Sequence, residues 1–242
     1  MTEHARIAAR LEEVRARIRD AAIGAGRSPE SVRLVAVSKL HDSAAIRAAF
    51  AAGQRAFGEN YVQEALDKQA ALADLPIEWH FIGRIQANKT GAIAQHFDWV
   101  HGLCDVGHAR RLSAQRPAGA PPLHACIQVN LSGEPSKAGV QPAAVPDLLD
   151  ACADLPGIRV VGLMTLPAPV EGLELQRRPF RALCELRDRL ATPEQPLHCL
   201  SMGMSDDLEA AVTEGATLVR IGTAVFGPRS YNTAPVSDGR PG

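Results

Sequence analysis

Short runs of Val, Ile and Leu alternate along the chain with longer segments rich in Ala and charged residues. Continuous apolar runs bounded by polar residues are typical of buried strands, whereas apolar residues that recur roughly every three or four positions are typical of helices. The runs predict strands at residues 33–38, 55–57, 79–82, 98–101, 124–129, 158–164, 198–201 and 218–221. The segments between them predict helices at residues 43–52, 60–73, 87–96, 105–114, 142–153, 172–190 and 206–213.

A further amphipathic helix is predicted ahead of the first strand, over residues 3–23. Arg and Glu separate apolar residues that share one helical face. These apolar residues are Ile7, Leu11, Val14 and Ile18. We expect this helix to pack against the outside of the domain that follows.

The regular alternation of strands and helices predicts an α/β fold with a parallel sheet. Eight strands over roughly 190 residues fit a single (β/α)8 TIM barrel with an extra N-terminal helix, slightly below the usual size. A doubly wound open sheet is the alternative. We expect one domain over residues 1–229, followed by a disordered tail over residues 230–242, which are rich in Gly, Pro, Ser and Asp.

Composition and charge narrow the function classes. The 26 Lys and Arg residues balance 27 Asp and Glu residues, so no basic excess predicts nucleic-acid binding. No apolar run approaches the roughly 20 residues of a membrane span. The five cysteines are odd in number and widely spaced, which predicts free thiols in a reducing compartment and hence a cytoplasmic protein. The histidines form no HExxH pattern, so we expect no metal site, and a lone barrel is compatible with a monomer.

A lysine follows the first predicted strand directly. The run from Leu34 to Val37 is apolar throughout, and Lys39 comes two residues after it. Ligands bind at the carboxyl ends of the strands in α/β proteins, where partial desolvation frees a lysine amine to attack a carbonyl. The alternative is a lysine that extends its stem over apolar surface into solvent.

Two neighbouring loops predict a phosphate site. In barrels a phosphate is frequently bound by the loops after strands seven and eight, together with the free N–H groups of a helix. The predicted contributors are Ser201, Gly203, Ser205, Gly222 and Thr223, with a helix that begins near Asp206. Ordinary turn chemistry is the alternative for either loop alone. A lysine and a phosphate cup on one barrel predict a phosphorylated carbonyl compound, either an aldolase-type substrate or pyridoxal 5'-phosphate (PLP).

Other conspicuous residues carry weaker signals. Glu59, after the second strand, is either an acid–base group or part of a cap on the helix that follows. Trp79 and Trp99 lie in or beside predicted strands and are interpreted as core residues. Cys126 and Cys199 are interpreted as inert buried thiols.

Long ordered motifs cover most of the predicted strand ends. They are Val35–Lys39, Phe57–Glu64, Trp79–Lys89, Val129–Asn130, Lys137–Gly139, Gly162–Met164, Leu200–Asp207 and Val219–Gly227. In these motifs, over about residues 30 to 228, the chain resembles the pyridoxal-phosphate homeostasis protein family. The resemblance implies a barrel similar to the N-terminal domain of alanine racemase and PLP as the cofactor.

The resemblance also implies a role for particular residues. Lys39 would form a covalent aldimine with PLP, and Arg220 would lie beside the pyridine nitrogen. The phosphate would be held by Ser201, Gly203, Gly222 and Thr223, and the pocket would be lined by Asn60, His80 and Met164.

The function implied is intracellular PLP homeostasis, in which the protein stores the cofactor and delivers it to apo PLP enzymes. A PLP-dependent racemase or related enzyme, a cofactor-free aldolase and a protein scaffold are the alternatives. Arg220 disfavours the aldolase, because a fixed cation suits a ring nitrogen or a carboxylate better than a sugar chain. Racemisation needs a second acid–base group, which alanine racemase takes from a separate β domain and a partner subunit. The predicted single barrel provides none, so the carrier is favoured.

Overall fold

The computed structural model describes residues 2–133 and 138–228. Eight parallel strands form a closed barrel in sequence order, and the last strand pairs with the first. The strands are β1 Arg33–Val37, β2 Ala56–Glu59, β3 Glu78–Phe81, β4 Trp99–Leu103, β5 Leu123–Gln128, β6 Ile158–Met164, β7 Cys199–Ser201 and β8 Leu218–Ile221. The barrel is confirmed over the open sheet, and each predicted strand is present.

Helices surround the barrel. They are α1 Glu3–Gly24, α2 Ser43–Ala51, α3 Val62–Ala71, α4 Thr90–His96, α5 Val106–Ala114, α6 Val145–Ala153, α7 Leu173–Leu190, α8 Leu208–Thr213 and α9 Thr223–Phe226. Two predicted helices begin as single 3₁₀ turns, at Ala87–Lys89 and at Pro142–Ala144. The four-residue helix α9 was not predicted, because one turn is too short to display a helical period.

The N-terminal helix α1 packs on the outside of the barrel as predicted. It contacts α2, α8 and α9. Its buried stripe consists of Ile7, Leu11, Val14, Ile18 and Ala22. Thr2 caps its first turn by accepting a hydrogen bond from the Ala5 N–H.

Two apolar layers fill the molecule because side chains alternate across each strand. The larger layer lies between the barrel and the helices. The smaller layer fills the barrel and consists of Val35, Ala56, Trp99, Cys126, Val161, Met164, Cys199 and Leu218. Trp79 and Trp99 are both buried, as interpreted from the sequence.

Gly162 allows β6 and β7 to approach each other closely. A Cβ at this position would lie 1.9 Å from the Cys199 carbonyl oxygen. The thiols of Cys126 and Cys199 come within 3.7 Å of each other inside the barrel, and both residues are buried. Glycine is therefore required here by space.

Some expectations concern residues that the structure does not describe. The predicted tail at residues 230–242 and Lys137 of the Lys137–Gly139 motif lie outside the described residues. Within residues 2–133 and 138–228, the helices are too short or too polar to cross a membrane. The same part of the chain holds no cluster of three or more His, Cys, Asp or Glu side chains suited to a metal ion. The five cysteines are free thiols.

Candidate functional site

A cavity of about 540 Å³ opens at the carboxyl ends of the strands. Lys39 enters it from the turn after β1, Asn60 from the end of β2 and Arg220 from β8. Gly222 and Thr223 line the side where α9 begins. The remaining lining residues are Arg17, Val37, Ile82, Leu166, Met204, Ser205, Asp206 and Ala224.

The turn that carries Lys39 is tightly held. The His41 N–H donates to the Ser38 carbonyl at 3.1 Å, and Leu40 between them has a φ of 63°. This left-handed conformation is uncommon for a residue other than glycine. The ring of His41 stacks on Phe226 of α9 at a centroid distance of 5.0 Å. The turn that carries Lys39 is thereby fixed to α9.

The side of the pocket near β8 is rich in hydrogen-bond donors. The first N–H groups of an α-helix have no acceptor within the helix, and Thr223, the first residue of α9, lines the pocket. The facing loop after β7 is anchored from outside, since Arg17 of α1 donates to the Ser205 carbonyl at 2.9 Å and to Glu209 at 2.7 Å. Donors around a concave wall suit an anion such as phosphate.

The helix expected near Asp206 contributes less to this wall than the sequence predicted. The chain makes a turn at residues 205–207, and α8 begins only at Leu208. The Asp207 carboxylate accepts a hydrogen bond from the Met204 N–H. The helix beside the pocket is instead α9, which directly follows β8.

Arg220 lies in the floor of the pocket and is almost fully buried. Its guanidinium donates to Ser201 Oγ at 2.6 Å and to the Thr165 carbonyl at 3.1 Å. Burial lowers the pKa of Arg220 to about 10, which leaves the side chain charged at neutral pH. Arginine can only donate hydrogen bonds, so the floor offers a fixed cation with donor character.

A chain of hydrogen bonds continues from Ser201 through the barrel interior. Ser201 Oγ is 2.7 Å from His101 Nδ1, and His101 Nε2 is 2.9 Å from His80 Nδ1. His80 Nε2 is 2.6 Å from Glu78 Oε1, near the opposite end of the barrel. Burial lowers the pKa of both histidines, so they are neutral.

The carboxylate at the far end of this chain fixes its direction. An ionised carboxylate can only accept, so neutral His80 carries its proton on Nε2 and donates to Glu78. His80 Nδ1 then accepts from His101 Nε2, which leaves His101 Nδ1 to accept from the Ser201 hydroxyl, while Ser201 Oγ accepts from Arg220. Five side chains thus form one oriented row beneath the pocket.

Comparison with known proteins identifies the family. Residues 9–230 match the family described as "Alanine racemase, N-terminal domain". A protein of Pseudomonas aeruginosa named pyridoxal phosphate homeostasis protein is 56% identical, over 96% of this chain and 99% of the relative. The Escherichia coli K12 protein of the same name is 48% identical, over 93% and 98%. The chain belongs to the pyridoxal phosphate homeostasis protein family.

A solved structure also resembles this barrel closely. PipY of Synechococcus elongatus, solved with PLP bound, is 39% identical with a TM-score of 0.79. The match covers 91% of this chain and all of PipY.

The residues singled out by resemblance to the pyridoxal phosphate homeostasis proteins divide into two groups. Those that line the cavity are Lys39, Asn60, Arg220, Gly222 and Thr223. Those that do not line it are His80, Met164, Ser201 and Gly203. The structure places His80 and Met164 in the barrel interior and Ser201 directly beneath Arg220.

Gly203 lies in the loop after β7, with a φ of 94°. A Cβ built there would meet the Ala211 Cβ at 2.6 Å. Gly203 therefore lets the loop pass close to α8.

One charged residue of the site was not found from the sequence. Arg17 comes from α1, and its position beside buried Ile18 gave no sign that it reaches the pocket. The sequence also suggested that Glu59 takes part in a cap on α3, and this is wrong. The N-cap of α3 is Tyr61, with no side-chain hydrogen bond, while Glu59 is buried against Lys68.

Proposed function

We propose that this protein binds PLP in the cavity at the carboxyl ends of the strands, stores it and delivers it to apo PLP enzymes inside the cell. The observation that carries the proposal is the placement of Lys39 and of the donor-rich wall at Gly222 and Thr223 on one cavity, with Arg220 in its floor. The names of the relatives and the PLP-bound structure of PipY support it.

The residues present fit this cofactor chemically. PLP has an aldehyde, a ring nitrogen and a phosphate, and the pocket supplies an amine, a guanidinium, a hydroxyl and helix N–H groups. Asn60 Oδ1 is buried without a hydrogen-bond partner among the described residues, so a bound ligand can satisfy it. When bound, PLP supplies an aldehyde that condenses with an amine and a ring that acts as an electron sink.

The side chains have distinct tasks in this proposal. Lys39 provides the nucleophilic Nζ, while Thr223 and the first amides of α9 hold the anionic end. Arg220 donates from the floor and remains charged, so it would keep a ring nitrogen above it unprotonated. That arrangement weakens the ring as an electron sink and favours storage over turnover.

A racemase is the second candidate, because the family includes the N-terminal domain of alanine racemase. Racemisation needs an acid–base group opposite the lysine, and such assistance is worth about 10²–10⁴-fold. Among the described lining residues the carboxylate is Asp206, on the loop after β7 that faces the donor-rich wall at Gly222 and Thr223, and Tyr61 does not line the pocket. We therefore expect cofactor exchange with negligible amino-acid turnover.

Borohydride trapping tests the covalent site. Purified protein mixed with PLP should develop a visible absorbance band, and reduction should label the peptide that contains Lys39. Lys39→Ala should lose this label, and Lys89→Ala, which changes a lysine outside the cavity, should keep it. Label at the same peptide in Lys39→Ala would contradict the assignment.

Function is tested separately with the loaded protein. Mixing it with an apo PLP enzyme should restore that enzyme's activity as the carrier loses its absorbance. Incubation with L-amino acids in deuterated water should give no rapid exchange at Cα. Rapid exchange that disappears in Lys39→Ala would establish the racemase alternative.

A further inference from the structure

A buried ionic cluster lies directly behind the turn that carries Lys39. It consists of Glu59, at the end of β2, with Glu64 and Lys68 of α3. Lys68 Nζ is 2.7 Å from Glu59 Oε1 and 2.6 Å from Glu64 Oε1. The side chains of Lys68 and Glu59 are only 7% and 0% exposed. None of the three lines the cavity.

The cluster binds the residues on both sides of Lys39. Ser38 Oγ donates to Glu59 Oε1 at 2.6 Å, and Lys68 Nζ donates to the Ser38 carbonyl at 2.8 Å. On the other side, the Leu40 N–H donates to Glu64 Oε1 at 2.6 Å. The left-handed backbone of Leu40 is unfavourable for a leucine and persists only where surrounding contacts enforce it. The cluster supplies such contacts.

Stability alone does not account for this arrangement. Moving a carboxylate and an ammonium out of water is costly, and a well-packed apolar pair would join α3 to the barrel as well. Glu59 Oε2 is also buried without a hydrogen-bond partner among the described residues. Burial raises the pKa of Glu59, against the charge of Lys68. What the charged groups add is a defined backbone position, because they form hydrogen bonds to particular backbone atoms of the turn.

We propose that Glu59, Glu64 and Lys68 are positioning residues for Lys39, and that they hold its Nζ in line with the cofactor aldehyde. This inference rests on the proposed function. In the covalent step, the Nζ lone pair forms a bond to the aldehyde carbon. The carbonyl oxygen takes up two protons from the amine and leaves as water, which yields a C=N bond without any redox change. The cluster affects this step and does not change the binding of the phosphate end.

The test separates covalent attachment from non-covalent binding. Glu59→Leu combined with Lys68→Met replaces the buried pair by apolar side chains and leaves the partly exposed Glu64 carboxylate as the remaining charge of the cluster. After mixing full-length protein with PLP, we expect the rate of covalent attachment to fall about 100-fold, the effect of a misplacement of about 1 Å. The same double change in a Lys39→Ala background should leave the Kd for PLP, measured by equilibrium dialysis, unchanged.

Two further variants keep the test decisive. Glu64→Ala removes the acceptor of the Leu40 N–H at a partly exposed site, so it should fold and show a smaller reduction in rate. Arg47→Gln with Asp74→Asn removes an exposed ion pair of 2.7 Å that does not touch the Lys39 turn, and it should attach PLP at the normal rate.

The outcomes distinguish the two proposals. If the wild type attaches PLP at Lys39 and the Glu59/Lys68 and Glu64 variants attach it equally fast, the positioning role is refuted while the proposed function stands. Equal losses in attachment rate and in Kd would also refute it, because they indicate a merely structural role. If the wild type forms no adduct at Lys39, both proposals fail together.

Discussion

Replacing Arg220 with methionine should stabilise the PLP-free protein. Arg220 is 5% exposed, and its two hydrogen-bond acceptors, Ser201 and Thr165, are uncharged. Burial lowers its pKa to about 10. Compared with the higher ordinary pKa of arginine, this corresponds to a cost of about 3 kcal/mol for keeping the charge in the folded protein, since a tenfold change in an equilibrium is about 1.4 kcal/mol.

Smaller losses offset part of this gain. Methionine fills much of the same volume without a charge, and Ser201 keeps its hydrogen bond to His101 at 2.7 Å. The Thr165 carbonyl loses its donor, which costs about 1–2 kcal/mol. We therefore expect Arg220→Met to raise the free energy of unfolding by about 1–2 kcal/mol, and to weaken PLP binding because the floor loses its cation.

The pH dependence gives a second check on the cause. A basic group whose pKa is depressed by folding destabilises the protein at every pH below its folded pKa. That penalty disappears as pH rises above about 10 towards the higher ordinary pKa of arginine. The difference between wild type and Arg220→Met should therefore be full near neutral pH and smaller at about pH 10.5.

Urea denaturation of the PLP-free proteins measures both quantities. Arg159→Met serves as the control, because Arg159 is exposed on β6 and its loss should change stability by less than about 0.5 kcal/mol. A loss of stability in Arg220→Met at neutral pH, or a difference that grows with pH, would refute the argument that the buried charge is costly.

Two further predictions concern the barrel interior. Gly162→Ala should destabilise the protein by more than about 3 kcal/mol in urea denaturation, because its Cβ would overlap the Cys199 carbonyl, whereas Gly24→Ala, with open space around it, should be neutral or slightly stabilising. In ¹⁵N NMR spectra at pH 7, His80 and His101 should both be neutral and protonated on Nε2, and an Nδ1–H signal from either ring would contradict the direction assigned to the interior hydrogen-bond row.

The order of elements was predictable because its signal is local. Apolar runs and helical periods each occupy one stretch of chain, so the eight strands and the helices between them were found from the sequence. Lys39 and the Gly222–Thr223 loop could also be singled out, because a lysine or glycine at the end of an apolar run stands out in the linear sequence.

Two kinds of feature could not be predicted. One is how deep in the barrel a side chain lies, and the other is which distant segments of the chain come into contact. His80 sits in an apolar run that does not reveal which way its ring points or how far down the barrel it lies. Arg17 reaches the pocket only because α1 packs against α8. Glu59 looked like a cap because its partner Lys68 lies nine residues further on, across a change from strand to helix.

The alternation of side chains at the end of β1 limits where the Lys39 amine could be moved. Val37 and Lys39 line the cavity, while Ser38 between them bonds to the layer behind the sheet. Deleting one residue from β1 would exchange these two sides, placing the amine among the helices and the serine in the pocket. By design or in evolution, the amine could therefore be moved along the chain by two residues but not by one.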